Sequence, residues 1–296
     1  MSGPVLGYAS QLGVDSQNPV TKRFDFLSED FVLAEVIADL NGLRGTRDRA
    51  KERTRAGTRV ARGNIVMEPT AVEWSNLLQW ILGGTPTGSG TVTYPIADAL
   101  SAYTIQIDRV AKVYTYATAY VNRATISGRY GEPLRLEIEA VGEDESVGNA
   151  GSFPSLALDI ANSPFMFFDL VLAVGGTDYQ PREWSITIDN VLDTSRYLNS
   201  QTLTAIAPLD RHITTTFSLP YGDAVAVYDS GEPTGVSYVA TFTNGNAVLT
   251  FTAGKIVFPR NSPNVPGRVE IFLPVHGELF KSSSTASLSV SLNVGP

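Results

Sequence analysis

Cysteine is absent from this 296-residue chain, and histidine occurs only as His212 and His276. Without thiols there is no disulfide framework, no thiol nucleophile and no cysteine-ligated metal. Two imidazoles leave little material for a histidine-rich zinc centre. No uninterrupted apolar run approaches the ~20 residues of a membrane span. The opening Met1 to Val14 lacks the basic start and apolar stretch of a secretory signal. These absences predict synthesis in the cytosol. Charge is scarce as well, at 18 % of residues with a formal net charge of −8, against about 25 % in an average soluble domain. Scarce charge predicts a covered surface, through a large core or through neighbouring subunits. The acidic balance argues against a general nucleic-acid binder, which needs basic faces to displace counterions. It leaves room for a protein that lets DNA pass without holding it.

Enzyme signatures are also missing. There is no phosphate-cradling glycine loop with lysine and no Gly-x-Ser-x-Gly elbow; Gly88-Ser89-Gly90 and Gly175-Gly176 read as turns. The cluster Glu143-Asp144-Glu145 lacks the spaced ligands of a calcium loop and reads as solvated linker. Glu137 and Glu139 lie on the polar face of an alternating strand, with no visible partner set for acid–base work. His212 and His276 read as structural, and Trp184 and Tyr197 as core or interface residues. No catalytic, cofactor-binding or metal-binding residue is assigned.

What is present is mostly β. In Leu134 to Val141, Leu134, Leu136, Ile138 and Ala140 share one face. The same period runs through Ser185 to Ile188, Thr214 to Leu219 and Val269 to Val275, with turn signals between the runs. Asn244-Gly245 is a two-residue hairpin candidate. One helix is well specified: Trp74, Leu77, Leu78 and Ile81 form an apolar stripe, Thr70 and Glu73 a capping box, and Gly83-Gly84 the stop.

The halves follow one pattern. Each has an Ile/Asp strand end (Ile37-Ala38-Asp39, Ile188-Asp189), a long polar loop, a strand closing on proline (Pro69, Pro220), a helix or candidate helix (223–228 in the second half) and a strand ending in Gly-Glu. The Asp, Pro and Gly landmarks lie 150, 151 and 135 residues apart. The expected organisation is a first β domain over 1–145 with a basic loop at 41–59, a linker at 146–152 and a second β domain over 153–296. The basic loop holds Arg44, Arg47, Arg49, Lys51, Arg53, Arg55 and Arg59 against Asp48 and Glu52, so the rest of the chain carries −13. Phosphate contact, a solvated loop and docking on an acidic surface of another copy are the three readings. Docking is preferred, because contact between unlike patches builds rings and filaments.

The run Gly42-Leu43-Arg44-Gly45-Thr46-Arg47 with Glu52-Arg53 resembles the major tail tube proteins of long-tailed bacteriophages. Ile107-Asp108-Arg109, Ile188-Asp189-Asn190, Asn199-Ser200-Gln201-Thr202, Pro220-Tyr221-Gly222-Asp223 and Pro266-Gly267-Arg268 add to the likeness, which extends from about Gly42 to His276. The resemblance implies a mainly β fold of tandem tube-like β-sandwich or barrel domains, each with a flanking helix. It implies rings that stack into a hollow tube for the genome, with three two-domain chains giving a pseudo-sixfold ring. It also implies a place in the virion tail, assembly in the host cytoplasm, and tape measure and terminator proteins as partners. DNA would transit without specific binding, and no cofactor is expected. Strand alternation then makes Arg135, Glu137, Glu139, Thr214, Thr216, Ser218 and Glu270 candidate lumen residues, and Arg44, Arg47, Arg49, Arg53, Arg55 and Arg59 the candidate inter-subunit loop. The rival expectation is a two-domain β-sandwich that binds carbohydrate or a receptor at a phage surface.

Overall fold

The computed structural model describes residues 6–39, 47–48, 51–231 and 234–295. The fold is mainly β and antiparallel. In chain order the first half supplies β1 (Gln11–Asp15), β2 (Arg23–Phe24), β3 (Ser28–Glu29), β4 (Val32–Asp39), β5 (Thr54–Met67), α1 (Ala71–Leu82), β6 (Thr91–Pro95), β7 (Tyr103–Asp108), β8 (Lys112–Arg129), β9 (Arg135–Gly142) and β10 (Ser146–Asn149). The second half supplies β11 (Leu170–Val174), β12 (Thr177–Tyr179), β13 (Glu183–Asp189), β14 (Leu192–Asp193), β15 (Ala207–Pro208), β16 (His212–Pro220), α2 (Val225–Ser230), β17 (Val236–Asn244), β18 (Ala247–Val257), β19 (Phe272–Phe280) and β20 (Ser289–Asn293).

Strand pairing repeats between the halves. The series β1–β7–β8–β10 recurs as β11–β17–β18–β20. The series β4–β5–β9–β8 recurs as β13–β16–β19–β18. Both halves thus use one long strand, β8 or β18, in two layers. In β8 the change of layer falls beside Thr118, which takes a φ of 56°; Ala119 still pairs with β7, and Tyr120 already pairs with β9. The registers also revise the spacing of the repeat. Gly142 faces Ala61, and Gly277 faces Thr215. If the two glycines correspond, β5 and β16 are offset by 154 residues, so Pro69 and Pro220 are not equivalent positions.

The halves share a core. Seven consecutive residues of β13 pair with β8, Glu183 with Arg129 through Asp189 with Arg123, and β6 pairs along β20. Buried side chains from both halves, among them Trp74, Trp80, Tyr116, Trp184, Phe242 and Phe251, form one contiguous cluster. Helix α1 starts as its sequence dictates. The Thr70 hydroxyl accepts from the Glu73 N–H, Glu73 accepts from the Thr70 N–H at 2.8 Å, and Gly83 ends the helix at φ 78°. Its far end is pinned where the Trp80 indole donates to the Ala119 carbonyl at 3.0 Å.

Several details depart from expectation. The stretch 146–152, expected as a connector, contributes β10, which pairs with the start of β8. The hairpin turn is Gly245-Asn246 rather than Asn244-Gly245, because Asn244 stays in the ladder opposite Ala247. Its side-chain amide donates to the Ser163 hydroxyl and the Pro164 carbonyl, and Gly245 takes the positive φ at the first turn position. The last alternating run begins at Phe272, not Val269. Pro259, Pro263 and Pro266 remove ladder donors from the approach.

Candidate functional surfaces

Because β8 and β13 join the halves, the strands β5, β9, β8, β13, β16 and β19 form one sheet. One face of it points into the core through Ile65, Ile138, Ile126, Ile186, Phe217 and Val275, all buried. The other face is polar, and its residues line up in rows across the strands. One row runs Glu137, Thr125, Thr187, Thr214 and Glu278; the next runs Arg135, Ser127, Ser185, Thr216 and His276. A third runs Glu139, Arg123, Asp189 and His212. Five of the seven candidate lumen residues therefore sit together on one surface: Arg135, Glu137, Glu139, Thr214 and Thr216. Ser218 shares the alternation but is buried. Glu270 does not join them; it lies exposed in the proline-containing segment before β19.

The centre of this face is hydroxyl-rich. Thr125 and Thr187 hydroxyls meet at 3.1 Å, and Ser185 and Thr216 at 2.7 Å, so neighbouring strands satisfy one another. A shallow depression of about 650 Å³ opens over Thr125, Ser127, Arg135, Glu137, Ser185 and Thr216. Around it, other charged and polar groups of the face are paired. Arg123 donates to Asp189 at 2.7 and 3.0 Å across the junction of the halves. Asn122 donates to Glu139 at 2.9 Å. His212 faces Glu278 at 3.2 Å and Asp210 at 3.4 Å; the Glu278 hydrogen bond and the Asp210 charge raise its pKa above the ordinary imidazole value. Arg123, Arg129 and Arg135 are outnumbered by Glu137, Glu139, Glu183, Asp189 and Glu278, which leaves a face with no excess of cations to trap a polyanion.

The basic arm is more structured than its composition suggests. Arg44 and Arg49 lie outside the described residues. Arg47 and Arg53 are exposed, and Thr54 to Arg59 belong to β5, paired with β4. Gly57 and Thr58 form a bulge in β5 opposite Val36 of β4, and a Cβ on Gly57 would lie 2.8 Å from the Val36 carbonyl oxygen. Arg59 is used within its own chain: its guanidinium donates to Asp144 at 2.8 Å and its backbone N–H to the Gln201 carbonyl at 2.8 Å. Arg55 and Arg53 remain on the exposed part of the ribbon.

Sequence reading missed the contribution of β8. Val121, Ala124, Ile126 and Gly128 are its buried residues here, and the register shift between Val121 and Arg123 breaks the period of two. It also missed a shared turn: Asp108 accepts from the Val110 N–H and Asp189 from the Val191 N–H, and both valines take positive φ, 65° and 40°. The Ile-Asp pairs at 107–108 and 188–189 were the signal.

A family model described as phage tail tube protein matches residues 7–290. The chain belongs to that family. No curated protein sequence matches it. Membership makes this a structural tail protein of the virion, and it places the mainly β fold, the shared core and the long polar face in a subunit of the phage tail tube. The family is not an enzyme family. Among the described residues no cluster of acidic or histidine side chains could hold a metal, and no helix is long and apolar enough to cross a membrane.

Proposed function

We propose that copies of this chain join edge to edge into rings, that the polar face lines the bore, and that stacked rings form the duct through which double-stranded DNA leaves the capsid. The observation that carries the reading is the β8–β13 junction. There the second half's β13 is held along one edge by the first half, while the other edge pairs with β16. In the first half the corresponding strand β4 pairs with β5 alone among the described residues. A second copy supplies the missing neighbour. Edge pairing of this kind removes the hazard of an open strand, and the repeated strand order supports two tube domains per chain. Three chains then give six domains around the bore.

A duct has to pass phosphates without retaining them. Hydroxyl rows exchange hydrogen bonds with water and phosphate alike, carboxylates repel the polyanion, and Arg123 is already engaged by Asp189. The same reading takes tape measure and terminator proteins as tail partners and the host cytoplasm as the place of assembly. Electron microscopy of the purified protein, with mass measurement of isolated rings, is the test. Rings of three chains support the reading. Rings of six chains refute two domains per chain, and monomers that never associate refute the tube.

A further inference from the structure

We propose that Asn190 and Arg211 of the second half fix the angle between the two halves, and through it the number of chains that close a ring. This rests on the ring reading and names the residues behind a property which that reading leaves open. Two ladders join the halves, β8–β13 in one layer and β6–β20 in the other. A ladder decides which strands are neighbours, yet the twist between adjacent strands ranges from roughly −10 to −35°. A ring accumulates the error of every joint, so its chain number is defined only if each joint holds one angle. The ladders alone do not supply that.

The turn after β13 does. Asn190 is 1 % exposed. Its backbone N–H donates to the Asn122 carbonyl at 2.7 Å, and its side-chain amide to the Val121 carbonyl at 3.0 Å and the Ile81 carbonyl at 3.4 Å. Its side-chain oxygen accepts from Arg211 Nε at 3.4 Å, and the Arg211 guanidinium also donates to the Ala97 carbonyl. In return the Leu192 N–H donates to the Asn122 side-chain oxygen at 3.1 Å. The acceptors belong to three parts of the first half. Val121 and Asn122 sit at the register shift of β8. Ile81 is in the last turn of α1, where carbonyls lack intrahelical partners. Ala97 follows the end of β6.

The clip therefore grips both layers and the end of α1 at once. Turning one half against the other bends ladder bonds gradually, but it draws Asn190 or Arg211 off one of these carbonyls, and a buried carbonyl left without a donor is strongly unfavourable. Asparagine in such a place selects geometry more than it adds stability. Its hydrogen bonds are met in one arrangement only, as when a single buried asparagine sets the register and oligomer state of a coiled coil. Arg211 suits the position as well, because a cation is favourable near the C-terminal end of a helix.

Mass measurement of isolated rings reads the effect. Wild type should give one mass, that of three chains. Asn190→Leu, without donors, should lose that single class and give open arcs with rings of mixed size. Phe251→Leu, in the buried core of the second half, controls for stability alone: it should melt below wild type and still form three-chain rings. Mixed rings from both variants would overturn the proposal, and so would uniform three-chain rings from Asn190→Leu. The absence of native cysteine allows a rescue. Thr125 and Thr187 face each other across the junction, hydroxyls 3.1 Å apart, within reach of a disulfide. Thr125→Cys/Thr187→Cys added to Asn190→Leu should restore the three-chain class when oxidised and lose it again on reduction. Oxidised rings that stay mixed would overturn the proposal by placing the defect outside the joint. Should Asn190→Leu not fold, Arg211→Met decides by the same masses, mixed rings supporting the proposal and uniform ones sinking it. Wild-type protein that forms no rings would remove the underlying reading instead.

Discussion

Helix α1 spans twelve residues, carries a reciprocal capping box and buries eight side chains. Its counterpart α2 spans six, has no side-chain cap and buries Val227. The strands around them pair in the same order, so the helices show what the repeat does and does not need. Strand order is set by long-range ladders that tolerate a reduced helix. The helix is where the first half concentrates its packing: Trp80 stacks on Tyr103 at 5.6 Å and bonds the Ala119 carbonyl, and Asn190 of the second half reaches the Ile81 carbonyl at 3.4 Å. In this chain α1 belongs to both halves, whereas α2 buries Val227 and sets Tyr228 against Tyr221 of its own half at 6.4 Å.

The contrast breaks most visibly under truncation. Trp80→Ala removes a fully buried ring and leaves the Ala119 carbonyl short of a donor, a loss of about 3–5 kcal/mol. Val227→Ala deletes two methylene equivalents, about 1.6 kcal/mol at ~0.8 kcal/mol each. Chemical denaturation of the two variants checks the ranking; equal losses would mean that α2 carries more of the core than its burial indicates.

A smaller effect separates the strands. Gly63 lies where a Cβ would meet the Phe31 backbone at 2.4 and 2.7 Å and the Asp30 carbonyl at 2.8 Å. Gly63→Ala should therefore push the 30–31 segment off β5 and cost about 1–3 kcal/mol. The opposing position in the second half has no such constraint: β16 contains no glycine. Circular dichroism melting of the variant against wild type decides the point.

The cap distinguishes the helices through pH. Burial raises the Glu73 pKa, opposed by the Thr70 and Asp25 N–H groups that hydrogen-bond to its carboxylate. A carboxyl whose folded pKa is raised disfavours folding when ionised, so its share of stability increases as pH falls from neutral through the folded value. Glu73→Gln keeps a capping-box residue and removes the charge. Its stability should be at least that of wild type at pH 7, with this component of the rise toward acid pH missing. Denaturant midpoints between pH 7 and pH 4 report the difference.

Much of this was legible locally. Helix α1 was, because capping box, stripe and glycine stop are short-range signals that agree. The buried faces of β9, β13 and β16 were, because alternation needs no knowledge of partners. Pairing between the halves was not. Nothing within β8 or β13 alone says that Thr125 meets Thr187, and the irregularity after Val121 disguised the strand that joins them. The arm misled for a related reason. Its composition reads as loop, yet Thr54 to Arg59 are held by β4, and Arg59 is drawn to Asp144, 85 residues away. Glu270 failed because alternation was followed into a segment whose prolines break the ladder.

The finest distinction lies within the polar face, between two charged contacts in neighbouring columns. Arg123 ties the halves together by its bond to Asp189, and its guanidinium stays charged at any physiological pH. His212 and Glu278 tie β16 to β19, and this contact depends on a proton. The Glu278 hydrogen bond, with the Asp210 and Asp189 charges beside it, raises the His212 pKa. A histidine whose folded pKa is raised contributes stability that is fully present below its unfolded value, about 6.5, and lost as pH rises through the folded value. His212→Gln should thus be less stable than wild type at pH 5.5 and equal to it at pH 8.5, by a small margin because the imidazole is exposed. Arg123→Gln should lose the same amount at both pH values. Melting temperatures of the three proteins at the two pH values separate the contacts, and a His212→Gln deficit that persists unchanged at pH 8.5 would show that the ring acts by packing rather than by charge.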